Sequence, residues 1–448
     1  MMSQMSTRLQ VLLGFLLVIL ALSPAVLAGC GRSPSATPSV TTHSPTPTRD
    51  STTPTSATPV PAPSPLGPAP SFITLTIWGP EQFAPGESDA GAQVLQAQYQ
   101  EFTSENPDLG VEYVTKAPYG EGGVLDFLLA ASYAAPNVLP DVAIVDAFEL
   151  GPLARAGIAT PLQELVSEEL VADLFPFAQE ACTFGDDLIA LQFEADIEHA
   201  IYYTRTLETP PATWADLFVS PISYTFPAGG ENGLVNDAFL IQYLAQEGQL
   251  LDEEGKAALE HSPVQRVLRL YDAVRKYDVS PSEILEIHDL EECWAAYTEG
   301  NIALSHISSW RYLTSRAVLQ DTSFAAVPTE TGRTAAMSRG WAFVIITESP
   351  HRQEAAVRLI EWLMTSQNLA EWSVATNHLP ARSAALPLTD WPQDYTQFLE
   401  NQLQNAFYRP STPEFDRIAR ALQVAAEDVL TGERTPREAT SNLMESLE

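Results

Sequence analysis

The chain is short of positive charge and of cysteine. Its 448 residues hold 23 Lys and Arg against 57 Asp and Glu, a net charge of −34. Before residue 72 the only charged groups are Arg8, Arg32, Arg49 and Asp50, so residues 72–448 carry −36. Such a surface counts against nucleic acid and anionic bilayers as partners. The three cysteines are Cys30, Cys182 and Cys293. They form no CxxC and no Cys/His cluster of metal-site spacing, so no metal and no cofactor is expected. Outside the cytoplasm Cys182 and Cys293 could pair, but their spacing does not demand it. Long apolar runs are also missing. The best, Val11 to Leu22, is about a dozen residues where a membrane span needs about 20. There is no G-x-S-x-G, no H-E-x-x-H and no P-loop, the seven histidines are scattered singly, and no internal repeat is present.

What is present begins with a secretory signal over residues 1–29. Arg8 supplies the positive region, Val11 to Leu22 the apolar one, and Ala25 to Gly29 the small-residue exit. Leu27-Ala28-Gly29-Cys30 resembles the lipobox of bacterial lipoproteins. That resemblance implies a diacylglycerol on the Cys30 thiol and cleavage that makes Cys30 the first mature residue. Stable anchoring takes more than one acyl chain. Residues 31–71 are about two-thirds Ser, Thr and Pro. Too little apolar surface is available there to offset ordering entropy, so 30–71 reads as a lipid-anchored, disordered linker. At about 3.1 Å per residue in polyproline II its reach is on the order of 100 Å.

From residue 72 onward strand and helix patterns alternate. Thr74 to Trp78 alternates like a half-buried strand, and Val94, Leu95, Tyr99 and Phe102 follow at helical spacing until Asn106-Pro107. Further strands are expected at Val111 to Val114, Val142 to Val145, Leu188 to Phe193, Ala200 to Tyr203, Ile302 to Ile307 and Ala342 to Ile346. Helical stripes include Val264, Val267, Leu268 and Tyr271, and Ala356, Ile360 and Leu363. Strands separated by helices imply right-handed crossovers and a mainly parallel sheet covered on both faces.

Four stretches resemble family 1 of the extracellular solute-binding proteins, the maltose-binding-protein-like receptors of bacterial ABC importers. They are "LTIWGP" with "YQEFTSENPDLGVEYV", "LPDVAIVDAFELGPLARAGIATPLQEL", "LIALQFEADIEHAIYYTRTLETPPATWADL", and "AVRLIEWLMTSQNLAEWSVATNHLPAR" with "STPEFDRIARALQVAAEDVLTGERTPREA". Each is weak alone; their order and spacing make the match specific. Tyr203-Thr204 replaces the family's Tyr-Asn, Gln192-Phe193 lacks its proline, and Ser308-Ser309-Trp310 lacks the glycine before its tryptophan.

The resemblance implies an α/β fold of the type II periplasmic-binding-protein kind, with two α/β lobes around a ligand cleft and hinge crossovers. The first lobe is expected over 72–197 and 324–385, and the second over 198–323 and most of 386–448. The implied function is capture of a solute, a sugar or oligosaccharide, and delivery to an ABC permease by a monomeric protein anchored outside the cytoplasm. Sugar sites combine aromatic platforms with carboxylates and amides. Trp78 ends the first strand, where an α/β sheet meets its crevice, and Asp146 follows another strand at a similar edge. Glu194 and Asp196 lie near the expected hinge, Trp310 aligns with the family's stacking tryptophan, and Trp341 precedes a returning strand. Some maltose-binding members carry an aromatic in the last helices. The matching Ala419 and Arg420 offer none, which counts against malto-oligosaccharides in particular.

Two rival readings are a secreted glycoside-acting enzyme and a binding protein that signals to a membrane sensor without transport. Glu194 and Asp196 could be taken as a glycosidase acid and base. On one strand, however, residues i and i+2 project to the same face, too close to flank a bond from opposite sides.

Overall fold

The structure, a computed structural model, describes residues 72–219 and 222–448. Cys30, the signal and the Ser/Thr/Pro segment lie outside the described residues. Chain order in the first part is β1 (Ile73–Pro80), α1 (Ala90–Glu105), β2 (Leu109–Lys116), α2 (Val124–Ala134) and β3 (Val142–Asp146). A 3-10 turn (Ala147–Glu149) leads into α3 (Leu150–Ala156), followed by α4 (Glu168–Ala172), α5 (Pro176–Ala181), β4 (Thr183–Phe184), β5 (Asp187–Leu188) and β6 (Leu191–Gln192). Local chemistry explains the boundaries. Asp89 caps α1 by accepting the Ala92 N–H at 2.9 Å, and the helix stops at Asn106, before the Pro107 ring.

The chain then runs through β7 (Glu194–Tyr203), α6 (Trp214–Val219), β8 (Tyr224–Thr225), α7 (Asp237–Leu244), α8 (His261–Lys276), α9 (Leu290–Thr298), β9 (Leu304–Ser308) and α10 (Ser309–Ser315). It continues with β10 (Thr322–Ala325), β11 (Ala336–Arg339), β12 (Trp341–Ile345), α11 (Pro350–Leu363), α12 (Ser366–Thr376) and β13 (Leu379–Pro380). It closes with α13 (Gln393–Gln404), β14 (Ala406–Phe407), α14 (Pro413–Thr431) and α15 (Pro436–Leu447).

Two cores result. The first surrounds a five-stranded sheet of order β2-β1-β3-β12-β6. The second is packed between a sheet containing β8 and β9 and helices α7, α8, α14 and α15. The stripe Val264, Val267, Leu268, Tyr271 is wholly buried in it. Trp214 starts α6 and donates its indole N–H to Gln242 Oε1 at 2.8 Å, a structural role.

The expectation of a mainly parallel sheet is corrected. In the first sheet β1 pairs in parallel with β2 and β3, but β12 runs antiparallel to both β3 and β6. In the second, β7 is antiparallel to β9, β10, β11 and β13. The reason is topological: β12 enters the first sheet from the other lobe, so it arrives pointing the opposite way to the strands already there. The single strand expected at Leu188 to Phe193 is two short ones, β5 and β6. The strand expected at Ala200 to Tyr203 is the far half of β7.

Three segments cross between the cores. In β7, Ala195 and Ile197 belong to the first core and Ala200 and Tyr202 to the second. β11 returns beside it, with Arg339 opposite Asp196, and β14 runs parallel to β11 with Ala406 opposite Ala336. Core membership therefore changes near 198, 336 and 406. Val327 and Ala335 still pack in the second core, whereas Trp391, Tyr395 and Leu399 pack in the first. Cys182 and Cys293 are both buried and free. Among the described residues no helix is long and apolar enough to cross a membrane.

Candidate functional site

The ends of β3 and β12 and the crossing strands meet at one cavity of ≈ 530 Å³. The first core lends Tyr119, Asp146, Phe148 and Glu149, a loop of the second lends Glu231 and Asn232, and the crossing segments lend Arg339 and Arg409. Its size falls within the roughly 300–1,000 Å³ usual for small-molecule sites.

On the first-lobe wall, Asp146 ends β3 and caps the following turn, its Oδ1 accepting the Phe148 N–H at 2.9 Å. Its Oδ2 accepts the Tyr119 hydroxyl proton at 2.6 Å. The Tyr119 ring rests on Trp341, with centroids 5.6 Å apart, and is 52% exposed. It is a supported aromatic platform with its edge fixed. Burial raises the Asp146 pKa above the usual carboxylate range. Burial, then the Asp146 charge, pushes Glu149 up to about 7.

The opposite side is built around Asp237, which begins α7. Arg409 Nε donates to its Oδ1, and Arg339 Nε to its Oδ2 at 3.0 Å. Burial alone would raise this carboxyl; the two guanidiniums hold it below its ordinary value. Arg339 keeps 55% of its side chain exposed, so a charged donor remains at the cleft. The adjoining loop turns sharply, with φ of 68° at Gly230, 53° at Asn232 and 75° at Gly233. At the floor, a Cβ on Gly340 would lie 2.0 Å from Glu194 O and 2.3 Å from Gln192 Nε2, so only glycine lets these strands meet.

The six sequence candidates have different fates. Asp146 lines the cleft. Trp341, 7% exposed, backs Tyr119. Trp78, also 7% exposed, is covered by the Phe127 edge and by Lys116 Nζ, 4.6 Å from its ring centroid, and does not line the cleft. Glu194 is buried with Oε1 2.8 Å from His378 Nδ1, although neither His378 Nδ1 nor Glu194 Oε2 has an aligned hydrogen-bond partner. Burial raises the Glu194 pKa while His378 opposes that rise. Asp196 Oδ1 accepts the Trp310 N–H at 3.0 Å and the Ser309 hydroxyl, binding the start of α10 to β7. Trp310 stacks on His378, which stacks on Trp372.

The sequence reading missed Tyr119, Phe148, Glu149, Arg339, Tyr408 and Arg409. Phe148 and Glu149 adjoin Asp146, and Arg339 lies two residues before Trp341, so strand-end neighbours were the available signal. Tyr119 and Tyr408-Arg409 carry no local signal; the fold alone delivers them.

Two α/β lobes, three crossing strands and a polar, aromatic-walled cleft define a two-lobed solute receptor. The bacterial extracellular solute-binding protein family matches residues 97–400, and the chain belongs to that family. As a member it is a binding protein, not an enzyme. Among curated relatives, the maltotriose-binding protein of Pyrococcus abyssi is 22% identical over 351 residues, 75% of this chain and 74% of the relative. The cyclic alpha-maltosyl-1,6-maltose binding protein of Arthrobacter globiformis shares the fold with a TM-score of 0.70 at 18% identity, covering 84% of this chain and 98% of that one. The sugar-binding protein MalE of Xanthomonas citri gives 0.69 at 21% identity, over 84% and 96% of the two chains. The fold class is the type II periplasmic-binding-protein one.

Proposed function

We propose that the protein captures a sugar or oligosaccharide in the interlobe cleft and delivers it to an ABC permease, tethered to the membrane through lipid on Cys30. The observation that carries the reading is the pairing of an exposed, backed platform, Tyr119 on Trp341, with acceptors and donors around it. A pyranose offers an apolar C–H face to such a ring and hydroxyls to Asp146, Gln192, Asn232 and Arg339. The relatives named for maltotriose and maltose-type sugars support the same class of solute. The Leu27-Ala28-Gly29-Cys30 run and the Ser/Thr/Pro spacer support the tether.

Because both lobes contribute to the cleft, a solute that touches both favours the closed arrangement of the two. Thermal-shift measurement against sugars, polyols and amino acids should raise the Tm for a small set of carbohydrates. A shift confined to non-carbohydrates refutes the sugar assignment. Tyr119→Ala should weaken binding of the responding sugar by about 0.5–1.5 kcal/mol, roughly 2- to 12-fold. Metabolic labelling with a fatty-acid probe should mark the protein and lose it in Cys30→Ser.

A further inference from the structure

The geometry points to a solute that carries an ammonium group, an amino sugar or amino-bearing oligosaccharide, read by Asp146 and Glu149 on the first-lobe wall. This rests on the carbohydrate reading above and names the class of solute within it.

Asp146 caps one 3-10 turn and Glu149 ends it. Both line the cleft, and the Asp146 charge acts on Glu149, so the two carboxyls sit together on one wall. Around them the wall holds acceptors that want donors. Glu149 Oε2 is buried without a partner. Gln192, 1% exposed and lining the cleft, has its Oε1 unpartnered, while one of its two amide N–H groups donates to Glu194 O at 3.0 Å. Tyr119, the hydroxyl donor of this wall, is already committed to Asp146.

The charges agree. The nearest guanidiniums, Arg339 and Arg409, both bond Asp237; Arg339 stays half-exposed and its charge also reaches Asp146, while His378 faces Glu194. Glu231 adds a further carboxylate from the second lobe. An ammonium brings up to three N–H donors and a charge, whereas a sugar hydroxyl brings one donor and none. Charge-assisted bonds to carboxylates are roughly twice as strong as neutral ones.

The test is calorimetric titration of the full chain at pH 7 and low salt with matched pairs. These are maltotriose against maltotriose carrying one amino group in place of a hydroxyl, and cellotriose against the glucosamine trimer, with spermidine as a non-sugar cation. The amino member of at least one pair should bind tenfold tighter or better. Glu149→Gln should collapse that ratio toward one. Raising NaCl from 50 to 500 mM should shrink it in the unaltered protein, a readout that does not depend on any variant folding. Equal or weaker binding of the amino members overturns the proposal and leaves the carbohydrate reading standing, as does a preference that survives Glu149→Gln. Binding of spermidine with neither sugar pair keeps the ammonium assignment and overturns the carbohydrate reading. No binding by any probe overturns both.

Discussion

Asp237 and Glu149 are carboxylates on opposite sides of one cleft, and their surroundings are reversed. Asp237 is gripped by Arg339 and Arg409, its charge more than matched and both oxygens bonded. Glu149 has one oxygen buried with no partner and a second carboxylate, Asp146, beside it. The first arrangement is complete within the chain and positions two arginines. The second leaves an acceptor unmet within the chain. An unmet buried acceptor beside the cleft calls for an explanation that a satisfied one does not.

Removing Asp237 gives the largest expected effect. Asp237→Ala leaves two guanidiniums facing each other across a buried gap. The expected loss is toward the lower end of about 3–5 kcal/mol, since half-exposed Arg339 can rehydrate. Urea unfolding measures it, and a loss under about 1 kcal/mol would show that the clamp matters little.

The pH dependence separates the two carboxylates by sign. The Asp237 pKa is depressed, so its contribution is present above the unfolded value and fades as pH falls. The Glu149 pKa is raised, to about 7, so its contribution is full below about 4.5 and is lost as pH climbs through 7. Glu149→Gln should therefore flatten the decline in stability between pH 5 and 8. The change is on the order of 1 kcal/mol after allowing for the group's partial exposure. An unchanged slope in thermal melts across that range would contradict the unpartnered environment. Tyr119→Phe keeps the platform and deletes one bond to Asp146, and should cost about 1 kcal/mol or less in stability. Arg358→Ala, which breaks an exposed pair with Asp108, should change stability by under about 1 kcal/mol and leave solute affinity untouched.

The sequence was informative where period and strand ends decide the outcome. The apolar stripe of α8, the stop of α1 at Asn106 and Asp146 at the end of β3 all follow from local pattern. It was uninformative where tertiary packing decides. Trp78 sits at a strand end, as a cleft residue would, but Phe127 on α2 and Lys116 on β2 close over it. Glu194 and Asp196 sit at the hinge, yet His378 and the α10 N-terminus claim them. Arg409 becomes part of the cleft only because β14 pairs with β11, a contact between residues some 70 apart that no local pattern encodes.

The crossing segments carry one more consequence. β7, β11 and β14 are bonded side by side, so the joint between the lobes behaves as a stiff ribbon and not as three independent strings. A ribbon bends easily across its face and resists shear in its plane. The lobes are thereby held to something near a single swing, like the covers of a book on a sewn spine. Arg339 stands on that spine and Arg409 lies just past it, so both cleft arginines sit where the two covers join.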